Sequence, residues 1–190
     1  YNGSSFSIQV ETDLSDVGEI ICMPYPHICF GIAPAGVMSF PICSGDTNEP
    51  SVYFQIRSSS CWHIISYPIA LIENENNCLV NIAAEFDSNS NEIRLYIDGE
   101  LVVFDEIDFN VYDASYALGD DVYIGANTDG DPNYLYSGVI DNLIIWDNTL
   151  PENFTETSFI DLSQSLINFD FNSTGTVSYT HLRAHETSGY

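Results

Sequence analysis

Lysine is absent from this chain, and arginine occurs three times, at Arg57, Arg94 and Arg183. Against them stand 28 aspartates and glutamates, giving a formal net charge of −25 over 190 residues. A surface so short of cations repels phosphate backbones and anionic headgroups, which speaks against nucleic acid and anionic membrane as partners. Long apolar runs are also missing. None approaches the roughly 20 residues of a membrane helix, so no membrane insertion is expected. No signal-peptide pattern opens the sequence, which reads as a mature or truncated chain. A phosphate-cradling glycine loop is not found either.

What remains is the composition of a folded domain. Hydrophobic residues make up 45%, too many for a disordered acidic tail, and the length suffices for one sandwich with a sizeable core. The acids are scattered rather than blocked, as on a solvated, salt-tolerant surface; cation binding is the sharper alternative.

Five cysteines are present, Cys22, Cys29, Cys43, Cys61 and Cys78. Bridges among at least four are expected, with one left over. Cys22 and Cys29 are the first candidate pair, because they closely flank Met-Pro-Tyr-Pro-His-Ile. Two prolines there argue against a central strand and for a loop pinned by the bridge. A Cys/His metal site using His27 is the alternative, but it lacks the paired Cys-x-x-Cys spacing of structural zinc. Asn2, Asn153 and Asn172 open Asn-X-Ser/Thr triplets, candidate glycosylation sites. Cysteines and triplets together point to an extracellular or cell-surface protein.

The periodicity is that of short strands. Phe6, Ile8 and Val10 alternate with Ser7, Gln9 and Glu11, as in a half-buried antiparallel strand. Segments 37–43 and 51–58 follow as strands, the second with Val52, Phe54 and Ile56 against Tyr53, Gln55 and Arg57. Two further short strands are expected over 61–65 and 69–73. Segment 79–87 and the run from Glu92 are strands, and Asp98-Gly99 is a two-residue hairpin turn of the primed type. Over 118–150, two β-branched and aromatic runs flank Asp129-Gly130-Asp131-Pro132-Asn133, which reads as a hairpin. Both faces of its second strand are apolar, with Ile140, Ile144 and Trp146 on one side and Val139, Leu143 and Ile145 on the other. Such a strand wants cover on both sides. The expected fold is all-β, a two-sheet antiparallel jelly-roll sandwich.

Three stretches carry a resemblance. Tyr123-Ile124-Gly125 with Tyr136-Ser137-Gly138-Val139-Ile140-Asp141-Asn142-Leu143-Ile144-Ile145-Trp146 resembles the closing strands of laminin-G-like, concanavalin A-like jelly-roll domains. Leu79-Val80-Asn81-Ile82-Ala83-Ala84-Glu85-Phe86-Asp87, and Glu92 through Val102 with its Tyr96-Ile97-Asp98-Gly99, resemble the middle strands, with Leu79 where the family has Trp. Pro151-Glu152-Asn153-Phe154 resembles the short closing helix. Leu166-Ile167-Asn168-Phe169-Asp170-Phe171 resembles the strand that begins such modules, yet it stands near the end. The resemblance therefore implies a module over 1–164 lacking its usual first strand. Segment 165–177 is then a closing strand or the first strand of a following module. Residues 178–190 resemble an adapter-derived read-through tail and are set aside. Segment 166–171 is expected beside the 138–147 strand, in its own chain or in a neighbouring copy by strand addition.

The resemblance implies a non-catalytic module for adhesion, glycan recognition or assembly, with a glycan, an extracellular protein or copies of itself as partner. A filament subunit linked by strand addition is one alternative. A glucanase is another, since related jelly rolls align three carboxylates on one strand. Glu106 and Asp108 hold two of those positions, but Asn110 and Val111 stand where the third would be. Family members often bind calcium at the rim. Asn127, Asp129 and Asp131 place three oxygen-bearing side chains at alternate positions of one loop, suited to Ca2+, although the same composition makes an ordinary polar turn. Tyr112, Tyr116, Tyr134 and Trp62 could offer aromatic faces to sugar. His63, beside Trp62, reads as a hydrogen-bonded histidine.

Overall fold

The computed structural model describes residues 5–23, 28–36, 42–45, 48–57, 61–73, 79–107, 121–126, 134–151, 154, 165–169 and 182–183. Two sheets carry the chain. The six-stranded sheet has the order β12-β11-β1-β7-β8-β9, and the seven-stranded sheet β13-β10-β2-β3-β5-β6-β4. Their members are β1 (Phe6–Thr12), β2 (Gly18–Met23), β3 (Ile28–Ala33), β4 (Ile42–Ser44), β5 (Ser51–Arg57), β6 (Trp62–Pro68), β7 (Val80–Asp87), β8 (Glu92–Ile97), β9 (Glu100–Glu106), β10 (Asp121–Ile124), β11 (Ile140–Trp146), β12 (Ser165–Phe169) and β13 (Leu182–Arg183). The pairing is antiparallel apart from β4 against β6, and the fold is the expected jelly-roll sandwich. One core lies between the sheets, with Ile8, Val10, Phe30, Phe54, Ile82, Ile93 and Leu95 fully buried. Phe54 meets Phe30 edge-on at 6.2 Å between ring centroids and Phe6 at 6.1 Å, so aromatic contacts tie the two sheets together.

The middle of the six-stranded sheet follows the sequence pattern. Ile93, Leu95 and Ile97 are buried, while Arg94 and Tyr96 are only partly so. Asp98 and Gly99 have φ of 48° and 84°, the double positive pair of a primed hairpin turn.

Elsewhere the structure departs from expectation. The two runs of 118–150 do not pair with each other. β10 pairs with β2 in one sheet, and β11 lies between β1 and β12 in the other. The interior position gives β11 a ladder neighbour on each backbone edge. The chain turns out of β10 at Gly125, φ 74°, and the Tyr136 N–H donates to the Gly125 carbonyl at 3.0 Å.

Strict alternation also fails along β11. Ile140 faces the main core with Leu143 and Ile145, and Ile144 and Trp146 face the other way. Gln9 opposes Ile144 while Glu11 opposes Asp141, so Asn142 and Leu143 together span Val10. This is a β-bulge, with Asn142 at φ 48°. The extra residue resets which side chains point inward.

The region of Cys22 and Cys29 is not simply a loop. Both cysteines sit in buried strands, directly opposite each other in the β2–β3 ladder. The prolines at 24 and 26 lie outside the described residues. Segment 69–73 is not a strand. β6 continues to Pro68, and Ile69–Leu71 is a 3-10 turn closed by the Ile72 N–H on the Ile69 carbonyl, 3.0 Å. Of 151–154, the Phe154 N–H bonds the Pro151 carbonyl at 3.1 Å, a single turn.

β1 is buried on both faces, Ser7 and Gln9 included. The stretch leaving β11 accounts for this. Ser7 Oγ donates to the Asn148 carbonyl at 2.8 Å, the Leu150 N–H donates to Glu85 Oε2 at 2.8 Å, and the Phe154 ring stands edge-on to Tyr96 at 5.4 Å. Asn148, Leu150 and Phe154 thus lie on the outer side of the six-stranded sheet. β12 pairs with β11 within the same chain, Ile167 opposite Ile145. That position supplies the sheet neighbour expected of 166–171. Leu182–Arg183, within the segment set aside, pairs with β10.

Candidate functional site

Three arrangements bear chemistry. The first is on the outer face of the seven-stranded sheet. Cys22, Cys29, Tyr53, Trp62 and Ile64 form a second apolar cluster there, and Cys22 is bonded to Cys29, Cα–Cα 4.3 Å. Glu19, Gly31 and Tyr53 lie in one row across β2, β3 and β5. Gly31 has no side chain, so the Tyr53 hydroxyl reaches over β3 and donates to Glu19 Oε2. A Cβ at Gly31 would strike the Gly18 carbonyl. Glu19 is 4% exposed. Burial pushes its pKa up to about 7, and the Tyr53 hydrogen bond only partly offsets this. Burial and the neighbouring Glu19 raise the Tyr53 hydroxyl in turn. Glu19 and the two sulfurs lie within 4.8 Å of one another. The disulfide uses both thiolates, so neither this trio nor a Cys22/Cys29/His27 set is a metal site. Cys61 is disulfide-bonded as well, its partner lying outside the described side chains.

The second arrangement closes the rim between β1 and β11. Asp13 Oδ1 accepts from the Tyr136 hydroxyl at 3.1 Å and from the Val139 N–H at 3.1 Å, and Asp13 Oδ2 accepts from Ser15 Oγ at 2.8 Å. The Tyr136 and Thr12 hydroxyls share a buried hydrogen bond, and Ser137 Oγ donates to Asp16. A Cβ at Gly138 would meet the Tyr136 hydroxyl, which accounts for the Tyr-Ser-Gly order. Burial opposes the charge on Asp13, but the donors from Ser15, Val139 and Tyr136 outweigh it and hold its pKa below the ordinary value. These carboxylates serve to fasten two loops.

The third is a cleft of about 390 Å³ at one end of the sandwich. Its apolar wall is Tyr67 from β6 and Ile72 beyond the 3-10 turn, facing Ile97 and Val102 of β8 and β9. Glu73, Asp98 and Glu100 supply carboxylates, all three exposed. The primed turn places Asp98 there; its Oδ1 accepts the Asn81 N–H at 3.0 Å. Half-buried aromatic and aliphatic surface beside exposed hydrogen-bond acceptors offers a polar small molecule contacts of both kinds. Because its walls come from different sheets, no sequence motif announces it.

The sequence candidates fare as follows. Asn127, Asp129 and Asp131 lie outside the described residues, as do Asn2, Asn153, Asn172, Tyr112 and Tyr116. Trp62 does not offer a free face: it is 7% exposed, and the Arg57 guanidinium sits 5.7 Å above its ring. Tyr134 is half-buried near the Glu19–Tyr53 pair. β9 ends at Glu106, which is exposed, and Asp108, Asn110 and Val111 lie outside the described residues. His63 Nδ1 shares a hydrogen bond with Ser44 Oγ at 3.1 Å. Burial lowers its pKa despite the pull of Asp105, so the ring is neutral at neutral pH.

Comparison with known proteins bears on the fold. No protein-family model matches the sequence, and no curated protein matches it. Solved structures do. The CBM40 of the Ruminococcus gnavus IT-sialidase, bound to α2,3-sialyllactose, is similar with a TM-score of 0.56 and 16% identity, covering 79% of each chain. The NanB sialidase of Streptococcus pneumoniae is similar over 80% of this chain and 23% of its own, TM-score 0.57 and 15% identity. A heptameric SAP-like pentraxin from Limulus polyphemus gives a TM-score of 0.50 at 15% identity, over 80% of this chain and 67% of its own. At such identities the likeness is one of fold.

Proposed function

We propose that this chain is a non-catalytic glycan-binding module of an extracellular or cell-surface protein, and that the sugar occupies the cleft beside Tyr67. The observation that carries the reading is the composition of that cleft: an aromatic and aliphatic wall facing carboxylates, on a lectin-like sandwich. A sugar ring offers C–H faces to Tyr67 and hydroxyl donors to Glu73 and Glu100. The disulfides fit an oxidising compartment. Similarity in fold to a module holding sialyllactose supports the sugar-binding class.

The test is a glycan array followed by calorimetry on the best binder. Tyr67→Ala should weaken binding about tenfold, the effect of losing roughly 1.4 kcal/mol of contact. Val102→Trp, which fills the cleft from a partly exposed position, should abolish it. Thermal melts of both variants separate lost binding from lost folding. A wild-type chain that binds no glycan, or variants that bind as well as wild type, would refute the reading.

A further inference from the structure

We infer that the sugar taken by this cleft is cationic: a saccharide of protonated amino sugars, not an acidic one. The inference rests on the glycan-binding reading and assigns its ligand class. Recognition of an acidic sugar needs a cation at the site, commonly a guanidinium that can fork onto a carboxylate. Of the three arginines, the two whose side chains the structure describes, Arg57 and Arg94, are already committed. Arg94 is bound to Glu85, Glu92 and Asp87, with Glu85 Oε1 at 2.6 Å. Burial opposes its charge, but Glu85 and Glu92 hold its pKa well above the ordinary value. Arg57 lies over Trp62. His63 is held neutral, chiefly by burial.

The cleft has the opposite character. Glu73, Asp98 and Glu100 surround its apolar wall, within a molecule of net charge −25. Its field repels a sialic acid carboxylate and attracts an ammonium group. An amino sugar fits both halves of the lining. Its ring carbons lie on Tyr67 and Val102, its ammonium donates to the carboxylates, and its hydroxyls use the remaining oxygens. The fold is shared with a sialyllactose-bound module, but the charge is that of a different specificity.

The experiment is calorimetry with three probes on the whole chain: a glucosamine oligosaccharide, its N-acetylated counterpart and sialyllactose. Buffer below neutrality keeps the amine protonated. The glucosamine oligosaccharide should bind at least about tenfold tighter than the other two, a difference of roughly 1.4 kcal/mol. That advantage should shrink severalfold in about 1 M salt, where the Debye length is about 3 Å. Glu73→Gln with Glu100→Gln should remove most of the advantage without lowering the melting temperature. Glu49→Gln with Asp147→Asn removes the same charge from exposed positions outside the cleft lining and should leave it intact. Equal losses in the two double variants would mean bulk attraction of a polycation and would overturn the assignment. Preference for sialyllactose or for the N-acetylated sugar would overturn it while leaving the glycan-binding reading standing. Failure of all three probes and of the array would sink both.

Discussion

Glu19 gives the fold a pH dependence of unusual sign for a carboxylate. Burial lifts its folded pKa to about 7, above the ordinary glutamate value of 4.5. Between those values the folded chain holds a proton that the unfolded chain has released, so stability falls as pH rises through the window. The contribution is complete below the unfolded pKa and gone above the folded one. Asp13, Asp16 and Asp87 act at the other end, because hydrogen bonds hold their pKa values below the usual carboxylate range. Their contribution is lost as pH falls through those depressed values. Stability should therefore peak in mildly acidic solution. Glu19→Gln keeps an oxygen for the Tyr53 hydroxyl and cannot ionise. It should match wild type at about pH 5 and exceed it by up to roughly 3 kcal/mol above neutrality, by denaturant unfolding across pH. An unchanged pH profile would contradict the buried-carboxyl account. Arg94 makes the converse case. Arg94→Met leaves Glu85, 3% exposed, without its guanidinium, and should cost roughly 3 kcal/mol. Adding Glu85→Gln should recover part of that loss in a double-mutant cycle.

Among the elements, β11 shows how one residue reorders a strand. Asn142 holds a positive φ of 48° at the bulge. Asn142→Gly should be nearly neutral there, while Asn142→Val should cost about 1–3 kcal/mol of backbone strain. Thermal melts of the pair decide it: equal loss in both would mean that the Asn142 amide bond to Glu11, 2.9 Å, matters more than the backbone. The same strand marks the limit of what the sequence reveals. β7, β8 and β9 are legible because alternation and the Asp98-Gly99 turn are local, and the ladder partners are neighbours in sequence. The separation of β10 from β11 is not legible. A polar loop between two apolar runs looks the same whether the runs pair or part, and the deciding partners, β2 and β1, lie far away in sequence. The bulge is hidden for a related reason, since only the register against Val10 reveals the inserted residue. Tyr67 and Glu100 likewise carry no joint signal, because they meet only when the sheets stack.

At the scale of the molecule, β12 completes the six-stranded sheet from within the chain. This removes the observation on which a head-to-tail filament would rest, because the strand that could be donated is already used. A chain truncated after residue 164 should expose the backbone edge of β11 between apolar faces and self-associate. Light scattering should detect this, and a synthetic peptide of residues 165–171 should suppress it. A truncated chain that stays monomeric and equally stable would show that β12 contributes little.

The place of β1 has a consequence for synthesis. Ser7 pairs with Glu85 on one side and Trp146 on the other. During synthesis β1 therefore waits for partners encoded far downstream. Throughout that wait it is an apolar segment with both edges open, the kind of surface chaperones hold and sister chains capture. The β7–β8–β9 meander needs no such wait and can form as soon as it emerges. The β7–β8–β9 meander can thus be ordered before β1, which becomes native only once β11 has been made.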